Sequence, residues 1–134
     1  MSHNTLINRP TDAYLQAAKT TGQSIGGSWT KLTFDSPSTN TSGLTVSSST
    51  YTATIAGLYL IHFDHYHVSD TQSAYLGYTK NSGSIPTEQT GVGQPGYVKT
   101  FLTFVDLAVG DTLELAGYSI YFGNPSILTI VRLP

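Results

Sequence analysis

A run of mainly apolar and aromatic residues spans Gly57–His67, near the middle of the chain. Aromatic and β-branched residues fill it, which predicts one long β-strand. Because side chains of a strand alternate between two faces, Leu58 and Leu60 share one face and Tyr59 and Ile61 share the other. A strand with one solvated face would alternate apolar with polar residues. The pattern therefore predicts that this strand is covered on both sides, once by its own core and once by a partner.

Two further stretches, 97–107 and 126–133, are also apolar on both faces. One sandwich has one core, so the second apolar face of each strand needs a partner, and we expect that partner to be another copy of the chain. The residues that we predict at this interface are Leu58, Leu60, His62, Leu102, Phe104, Leu128 and Ile130.

Shorter alternating stretches predict additional strands at 13–18, 29–34, 44–46, 50–55, 72–80 and 112–118. The segments rich in turn residues that separate them predict loops at 22–28, 35–43, 84–96 and 119–125. Many short strands at regular spacing predict an all-β sandwich, jelly roll or barrel. Residues 1–12 form a polar arm without periodicity. We therefore predict two parts, an N-terminal attachment arm at 1–12 and one β domain at 13–134.

Composition excludes several classes of protein. The 134-residue chain has a net charge of −2 and only 10% charged residues, so it offers no basic face for nucleic acid. It has no cysteine, hence no disulfide and no thiolate metal site. No apolar run approaches the roughly 20 residues that span a bilayer, so no membrane insertion is expected. Residues 1–13 lack the basic and apolar pattern of a secretory signal.

The residues that could bind a metal or a cofactor, or act in catalysis, do not occur in a pattern typical of such a site. His65 and His67 share one strand face and His62 lies on the other, so the three cannot hold one metal ion within one chain. Gly91–Gly96 matches the glycine pattern of dinucleotide-binding loops, but no helix is predicted after it. No Gly-x-Ser-x-Gly motif or poised pair of carboxylates occurs. We predict no catalytic, cofactor or metal site, no cofactor, and no enzymatic activity.

Several short motifs occur in a recognisable order. Ala56–Ile61 resembles a Gly-x-Tyr-x-Phe/Ile strand, Lys80–Gly83 a Lys-Asn-Gly hairpin, and Leu107–Leu113 a Leu-x-x-Gly-Asp-x-Leu/Val turn. A short first strand at Ala13–Tyr14 precedes them and an apolar strand at Ile127–Leu133 closes the chain. In this order the chain resembles the tumour necrosis factor (TNF) and complement C-one-q superfamily of jelly-roll trimers.

The resemblance implies a two-sheet antiparallel jelly-roll sandwich that forms a homotrimer around a three-fold axis. It also implies a binding or structural role rather than catalysis. His62 would face the axis, where three copies could surround an ion or a water molecule.

The expected function is that of a structural or binding protein on the surface of a particle, foremost a phage capsid decoration protein or the head of a fibre. The arm would attach the trimer to the capsid, which predicts a virion-surface location. A first alternative is a receptor- or carbohydrate-binding adhesin whose Tyr75 and Tyr78 face a host receptor or glycan. A second alternative is a protein of the bacterial cell surface or spore coat.

Overall fold

The computed structural model describes residues 13–40, 43–68, 75–83, 86–91, 98–122 and 126–133. The predicted arm at 1–12 lies outside them. Within these ranges the chain forms strands and no helix, so no helix there could cross a membrane. The strands are β1 (Tyr14–Lys19), β2 (Gln23–Ile25), β3 (Thr30–Lys31), β4 (Thr39–Asn40), β5 (Leu44–Ser47), β6 (Thr50–Ala53), β7 (Gly57–Val68), β8 (Tyr75–Lys80), β9 (Glu88–Gly91), β10 (Val98–Leu107), β11 (Thr112–Tyr118), β12 (Ile120–Phe122) and β13 (Ser126–Arg132).

The strands form two antiparallel sheets. In the first sheet the order is β2-β12-β7-β13-β1-β4. β10 also belongs to this sheet and pairs with β7 along nearly its whole length. In the second sheet the order is β5-β6-β11-β8-β9, and β3 pairs with β11. The all-β, two-sheet architecture predicted from the sequence is confirmed.

The core lies between the two sheets and takes one face of each. From the first sheet, Tyr59, Ile61 and Phe63 of β7 are fully buried. From the second sheet, Leu113 and Leu115 of β11 are fully buried as well. The predicted strand at Gly57–His67 is thus confirmed as the long central strand, with one of its faces in the core.

The turn between β10 and β11 follows the predicted Leu-x-x-Gly-Asp pattern. Gly110 adopts a φ of 91°, a left-handed conformation that suits glycine. The Asp111 carboxylate accepts the backbone N–H of Ala108 at 2.8 Å and the side-chain amide of Asn81 at 3.2 Å. These hydrogen bonds, the Ala108 bond first, lower the pKa of Asp111 because they stabilise its charged form. The carboxylate therefore joins this turn to the end of β8.

The turn between β5 and β6 places two serines in the left-handed region, with φ values of 49° for Ser48 and 63° for Ser49. Ser49 is buried, and its hydroxyl accepts the backbone N–H of Phe34 at 2.8 Å. Phe34 in turn packs edge-to-face on Phe63, with ring centroids 5.5 Å apart. The turn is thereby connected to the core through a residue fifteen positions earlier in the chain.

Lys19 is a buried cation at the end of β1. Its ammonium group donates hydrogen bonds to the side-chain oxygen of Gln23 at 2.6 Å and to the carbonyl of Thr33 at 2.7 Å. Burial lowers the pKa of Lys19, and the nearby Asp35 carboxylate partly offsets this effect. The neutral oxygens compensate part of the desolvation, so the charge serves to hold three segments of backbone together.

Several short strands were missed because their own sequences carry no strand pattern. The predicted loops at 22–28, 84–96 and 119–125 contain β2, β9 and β12, while the predicted strand at 29–34 reduces to β3. Residues 84–85 and 92–96 of the second loop lie outside the described residues. β2 and β12 pair with each other, and β9 pairs with β8. Two- to four-residue edge strands form because a neighbour offers hydrogen-bond partners, which a local pattern does not reveal.

Alkaline pH should destabilise the fold. Burial raises the pKa values of Tyr51 and Tyr59 above 10.0, partly offset by Ser49 and Arg132 respectively. The unfolded chain loses these protons near pH 10 while the folded chain keeps them, so the free energy of unfolding should fall as pH rises above about 10. Lys19 has the opposite effect, because its lowered pKa makes stability rise with pH just below 10.5.

Urea denaturation between about pH 8 and pH 11 measures this effect. Tyr51→Phe and Tyr59→Phe should flatten the decline, whereas Tyr121→Phe, which changes an exposed tyrosine, should leave it unchanged. Identical pH profiles for all four proteins would contradict the assignment of the decline to the two buried phenols.

Candidate functional site

The first sheet carries an exposed apolar surface on the side opposite the core. We call it the outer face. Its most exposed members are Leu102 at 55% and Phe104 at 54%, large fractions for side chains of this size. The outer face comprises Tyr14, Leu58, Leu60, His62, Leu102, Phe104, Ile127 and Val131.

Strand register makes this surface continuous. Leu60 of β7 lies directly opposite Phe104 of β10 on one side and Val131 of β13 on the other. Residues that lie opposite each other in neighbouring strands point to the same face of the sheet. Val131 is in turn opposite Tyr14 of β1, so the apolar surface crosses four strands.

One end of the outer face is polar. The Nε2 atom of His62 lies 3.7 Å from an oxygen of Asp64, and the hydroxyl of Thr100 donates to the same oxygen at 2.6 Å. Leu102 lies directly opposite His62, so the polar group adjoins the apolar surface. The carboxylate of Asp64 gives a protonated His62 a partner within its own chain, a contact that the sequence did not reveal.

The structure places five of the predicted interface residues on the outer face: Leu58, Leu60, His62, Leu102 and Phe104. Leu58, Leu102 and Phe104 are exposed, while Leu60 and His62 are half-buried. That another copy of the chain covers them stays a prediction.

The placement of Leu128 and Ile130 on this face is wrong. Both are fully buried in the core, because the register of β13 sets them opposite Phe63 and Ile61, which point inward. The outward position next to them belongs to Ile127, which is 40% exposed. Both faces of this strand are apolar, so composition cannot decide which face is inward, and a choice shifted by one residue reverses every side chain.

A second candidate site lies on the other side of the sandwich, on the outside of the second sheet. It begins with three aromatic rings. Trp29 is 5.5 Å from Tyr118 and 6.5 Å from Tyr75 between ring centroids, and the two tyrosines are 6.1 Å apart. Tyr75 and Tyr118 lie directly opposite each other in β8 and β11. Trp29 joins them because the next residues of the chain, in β3, pair with β11.

A cavity of about 160 Å³ adjoins these rings, and we call it the β11 cavity. Its lining combines the aromatic ring of Trp29, charged and hydroxyl side chains, and small residues. The lining residues are Trp29, Thr30, Lys31, Thr79, Gly83, Glu114, Leu115 and Ala116.

The two charged groups of the cavity are held in a fixed network. The Lys31 ammonium donates to the carbonyl of Ser48 at 2.6 Å and to the hydroxyl of Thr50 at 3.2 Å. The Thr50 hydroxyl donates to Oε2 of Glu114, and Lys31 lies 3.6 Å from the same oxygen. The positive and negative charges compensate each other, so the cavity has no strong preference for an ion of either sign.

Thr79 lies in the wall of the cavity, directly opposite Glu114. Only 5% of its surface is exposed, and its hydroxyl has no hydrogen-bond partner among the described residues. An unpaired buried hydroxyl costs about 1–3 kcal/mol relative to a paired one. In native proteins a group of this kind is explained by a bound water or ion, by strain, or by a functional role.

Two tyrosines of β8 were predicted to face a receptor. Tyr75 is exposed, and that it faces a receptor stays a prediction. Tyr78 is wrong, because it points into the core and only 5% of its surface is exposed. The sequence analysis missed Trp29 and Tyr118, which reach Tyr75 only through the pairing of β8 and β3 with β11.

The histidines of β7 lie apart, as their alternation predicts. His65 is buried beside Phe63, with ring centroids 5.2 Å apart, on the face opposite His62. The side chain of His67 lies outside the described residues. Across the described ranges no group of three or more histidine, aspartate or glutamate side chains is arranged to hold a metal ion.

Comparisons with known proteins give a match in structure alone. No protein-family model and no curated protein matches the chain. Three crystal structures of murine APRIL do match, at pH 8.5, pH 8.0 and pH 5.0, with TM-scores of 0.69, 0.66 and 0.60. The sequence identities are 12%, 12% and 14%, and each alignment covers 91% of this chain and 99% of the other. APRIL is a ligand of the TNF family, and this chain has the TNF-like jelly-roll fold.

Proposed function

We propose that the chain is a non-enzymatic structural or binding protein that forms a homotrimer through the outer face and coats the surface of a particle. The observation that carries this proposal is the apolar surface around Leu60, Leu102 and Phe104, which a monomer would leave in water. Contiguous exposed apolar surface of this kind marks an interaction site. TNF-like folds commonly form trimers, which favours another copy of the chain as the occupant.

The composition of the outer face fits a permanent contact between copies. Leucine and aromatic side chains dominate it, as in the interfaces of stable homo-oligomers, which resemble a divided core. Three of its polar members, His62, Asp64 and Thr100, already contact one another within the chain, whereas Asp106, opposite Leu58, is an exposed carboxylate at the other end. Their burial in a trimer therefore leaves fewer unpaired polar atoms than separate polar groups would.

The particle is proposed to be a phage capsid, with the trimer as decoration protein or fibre head on the virion surface. Three features support this assignment: a fold shared with binding proteins, an exposed apolar face, and a polar N-terminal segment that precedes β1. In this arrangement residues 1–12 attach the trimer to the capsid, and the second sheet faces outward. The solved neighbours are cytokine-like proteins without enzymatic activity, which agrees with a role in binding.

Leu102→Asp should convert the trimer to monomers. Leu102 is 55% exposed, so the substitution leaves the core intact but would place a carboxylate in a dry interface, where desolvation of the charge costs several kcal/mol. Light scattering and sedimentation at micromolar concentration measure the change, and circular dichroism should show an unchanged β spectrum. Val109→Asp is the matched control, because Val109 is also exposed but lies in the turn after β10. A monomeric wild-type chain, or a trimer that tolerates Leu102→Asp, would contradict the assembly.

Deletion of residues 1–10 should leave folding intact and abolish attachment. The deleted segment is polar and precedes Ala13, the first buried residue of the described part of the chain, so the melting temperature should change by only a few degrees. Cosedimentation with purified capsids measures attachment, with the full chain as the reference. Failure of the shortened chain to fold, or undiminished binding to capsids, would show that the segment has a different role.

A further inference from the structure

We propose that the β11 cavity and its aromatic rings form a binding site for a neutral saccharide. The site lies on the second sheet, on the opposite side of the sandwich from the outer face, and its geometry does not depend on the oligomeric state. Three features of this surface indicate such a ligand: the order of side chains along two paired strands, the packing of the three rings, and the charges in the cavity.

Two paired strands arrange the site as a row. Tyr118 and Tyr75 lie opposite each other at one end, and Glu114 and Thr79 lie opposite each other at the other. Between them Ala116 faces Gly77, the two smallest residues of the row, and Ala116 belongs to the lining of the cavity. Four residues of strand cover about 13 Å, so the row is long enough for one or two sugar rings.

The aromatic end provides a platform rather than a cage. The centroid separations of 5.5 to 6.5 Å are those of rings in direct contact, so no ammonium group fits between them. This packing disfavours choline and methylated lysine, which need rings spaced around the cation. The C–H groups on one side of a pyranose ring carry partial positive charge and stack on the electron-rich face of an aromatic ring. Trp29 belongs to both the rings and the cavity, and is therefore placed for this contact.

The polar end provides the hydrogen bonds that a sugar requires. Oε2 of Glu114 is engaged by Thr50, whereas Oε1 accepts no hydrogen bond from the described residues and is open to a ligand hydroxyl. The Thr79 hydroxyl, also without a partner there, can donate or accept. Lys31 neutralises Glu114 at 3.6 Å, so neither an anionic nor a cationic ligand gains a net attraction. A ligand rich in hydroxyl groups and without charge supplies a donor to Oε1. The Thr79 oxygen exposes almost no surface, so the cavity wall has to shift for the ligand to reach it.

The size of the cavity restricts the part of the ligand that it encloses. Its volume of about 160 Å³ is roughly half the lower limit of about 300 Å³ for pockets that hold drug-sized molecules. A single sugar ring at the end of a glycan fits this size, with the rest of the chain extending over Tyr75, which is exposed. We therefore expect weak binding of one monosaccharide and stronger binding of a longer glycan, which several copies on a particle would strengthen further.

The intrinsic fluorescence of the full-length protein tests this proposal, because Trp29 is the only tryptophan of the chain. Titration with methyl glycosides of neutral hexoses and N-acetylhexosamines should change its emission saturably for at least one sugar, and a glycan array should identify the extended ligand. Phosphocholine and sialic acid are the charged comparison ligands. Absence of any response to neutral sugars well above the millimolar range, or an equal response to either charged ligand, would overturn the proposal.

Four variants test the named residues by calorimetric titration of the same sugar. Trp29→Ala should weaken binding about tenfold or more, as loss of a stacking ring does elsewhere, and Glu114→Gln should weaken it by a similar factor through loss of a charged acceptor. Tyr121→Ala and Asp106→Asn are the matched controls, because they remove an exposed aromatic ring and an exposed carboxylate from the first sheet. Equal losses in the controls would overturn the assignment.

Thr79→Val covers the case in which Trp29→Ala fails to fold. Valine keeps the shape of threonine and removes the unpaired hydroxyl, so the melting temperature should stay the same or rise while the affinity for the sugar falls. Undiminished affinity in both Thr79→Val and Glu114→Gln would overturn the role of the polar end. The Leu102→Asp chain should bind a monosaccharide as well as the wild type, which separates a failure of this site from a failure of trimer assembly.

Discussion

Strict alternation of side chains along β7 is the constraint on which the rest of the structure depends. β7 has β10 on one edge and β13 on the other, so its backbone can rotate neither face away from its neighbours. The inward side chains, such as Ile61 and Phe63, fill the core. Leu58 and Leu60 are then directed outward whatever their chemistry, and the apolar residues of β10 extend the surface that they begin. A monomer leaves the outward apolar face of such a strand in water, which is the ground for proposing an assembly.

The two sides of the sandwich present different surfaces. The first sheet presents a broad apolar surface with polar side chains at its ends, which suits the proposed contact between copies of the chain. The second sheet presents a small cavity with compensated charges and an unpaired hydroxyl, which suits the proposed small polar ligand. Because the sheets lie back to back, a neighbour that covered Leu102 and Phe104 would leave Trp29 and Glu114 accessible. The proposed assembly and the proposed ligand binding therefore use different residues.

The sequence predicts those parts of this arrangement that depend on local periodicity. Long strands with aromatic and β-branched residues, such as β7 and β10, were located within one residue of their observed bounds. The turn at Gly110 was located because its chemistry is local. Leu128 and Ile130 were assigned to the wrong face, since a strand apolar on both sides has no sequence signal for which side is inward.

The aromatic and polar residues of the β11 cavity could not be predicted from the sequence. Trp29 and Tyr118 lie almost ninety positions apart, and only the pairing of β3 with β11 brings them together. Parity within β11 does place Glu114, Ala116 and Tyr118 on one face, which is a usable signal. This signal does not tell which strand lies opposite β11, because that pairing depends on long-range topology.

The Ser48–Ser49 turn shows how a distant contact can determine a local sequence. Two non-glycine residues in the left-handed region cost roughly 1 kcal/mol each, and Asn-Gly would be the favourable choice for a two-residue hairpin. Glycine at position 49, however, would remove the hydroxyl that accepts the N–H of Phe34, and Phe34 packs on Phe63 in the opposite sheet. A consensus approach to engineering, which optimises each turn by itself, would relax the hairpin and loosen the contact between the sheets. In this molecule, the less favourable turn is the one consistent with the whole fold.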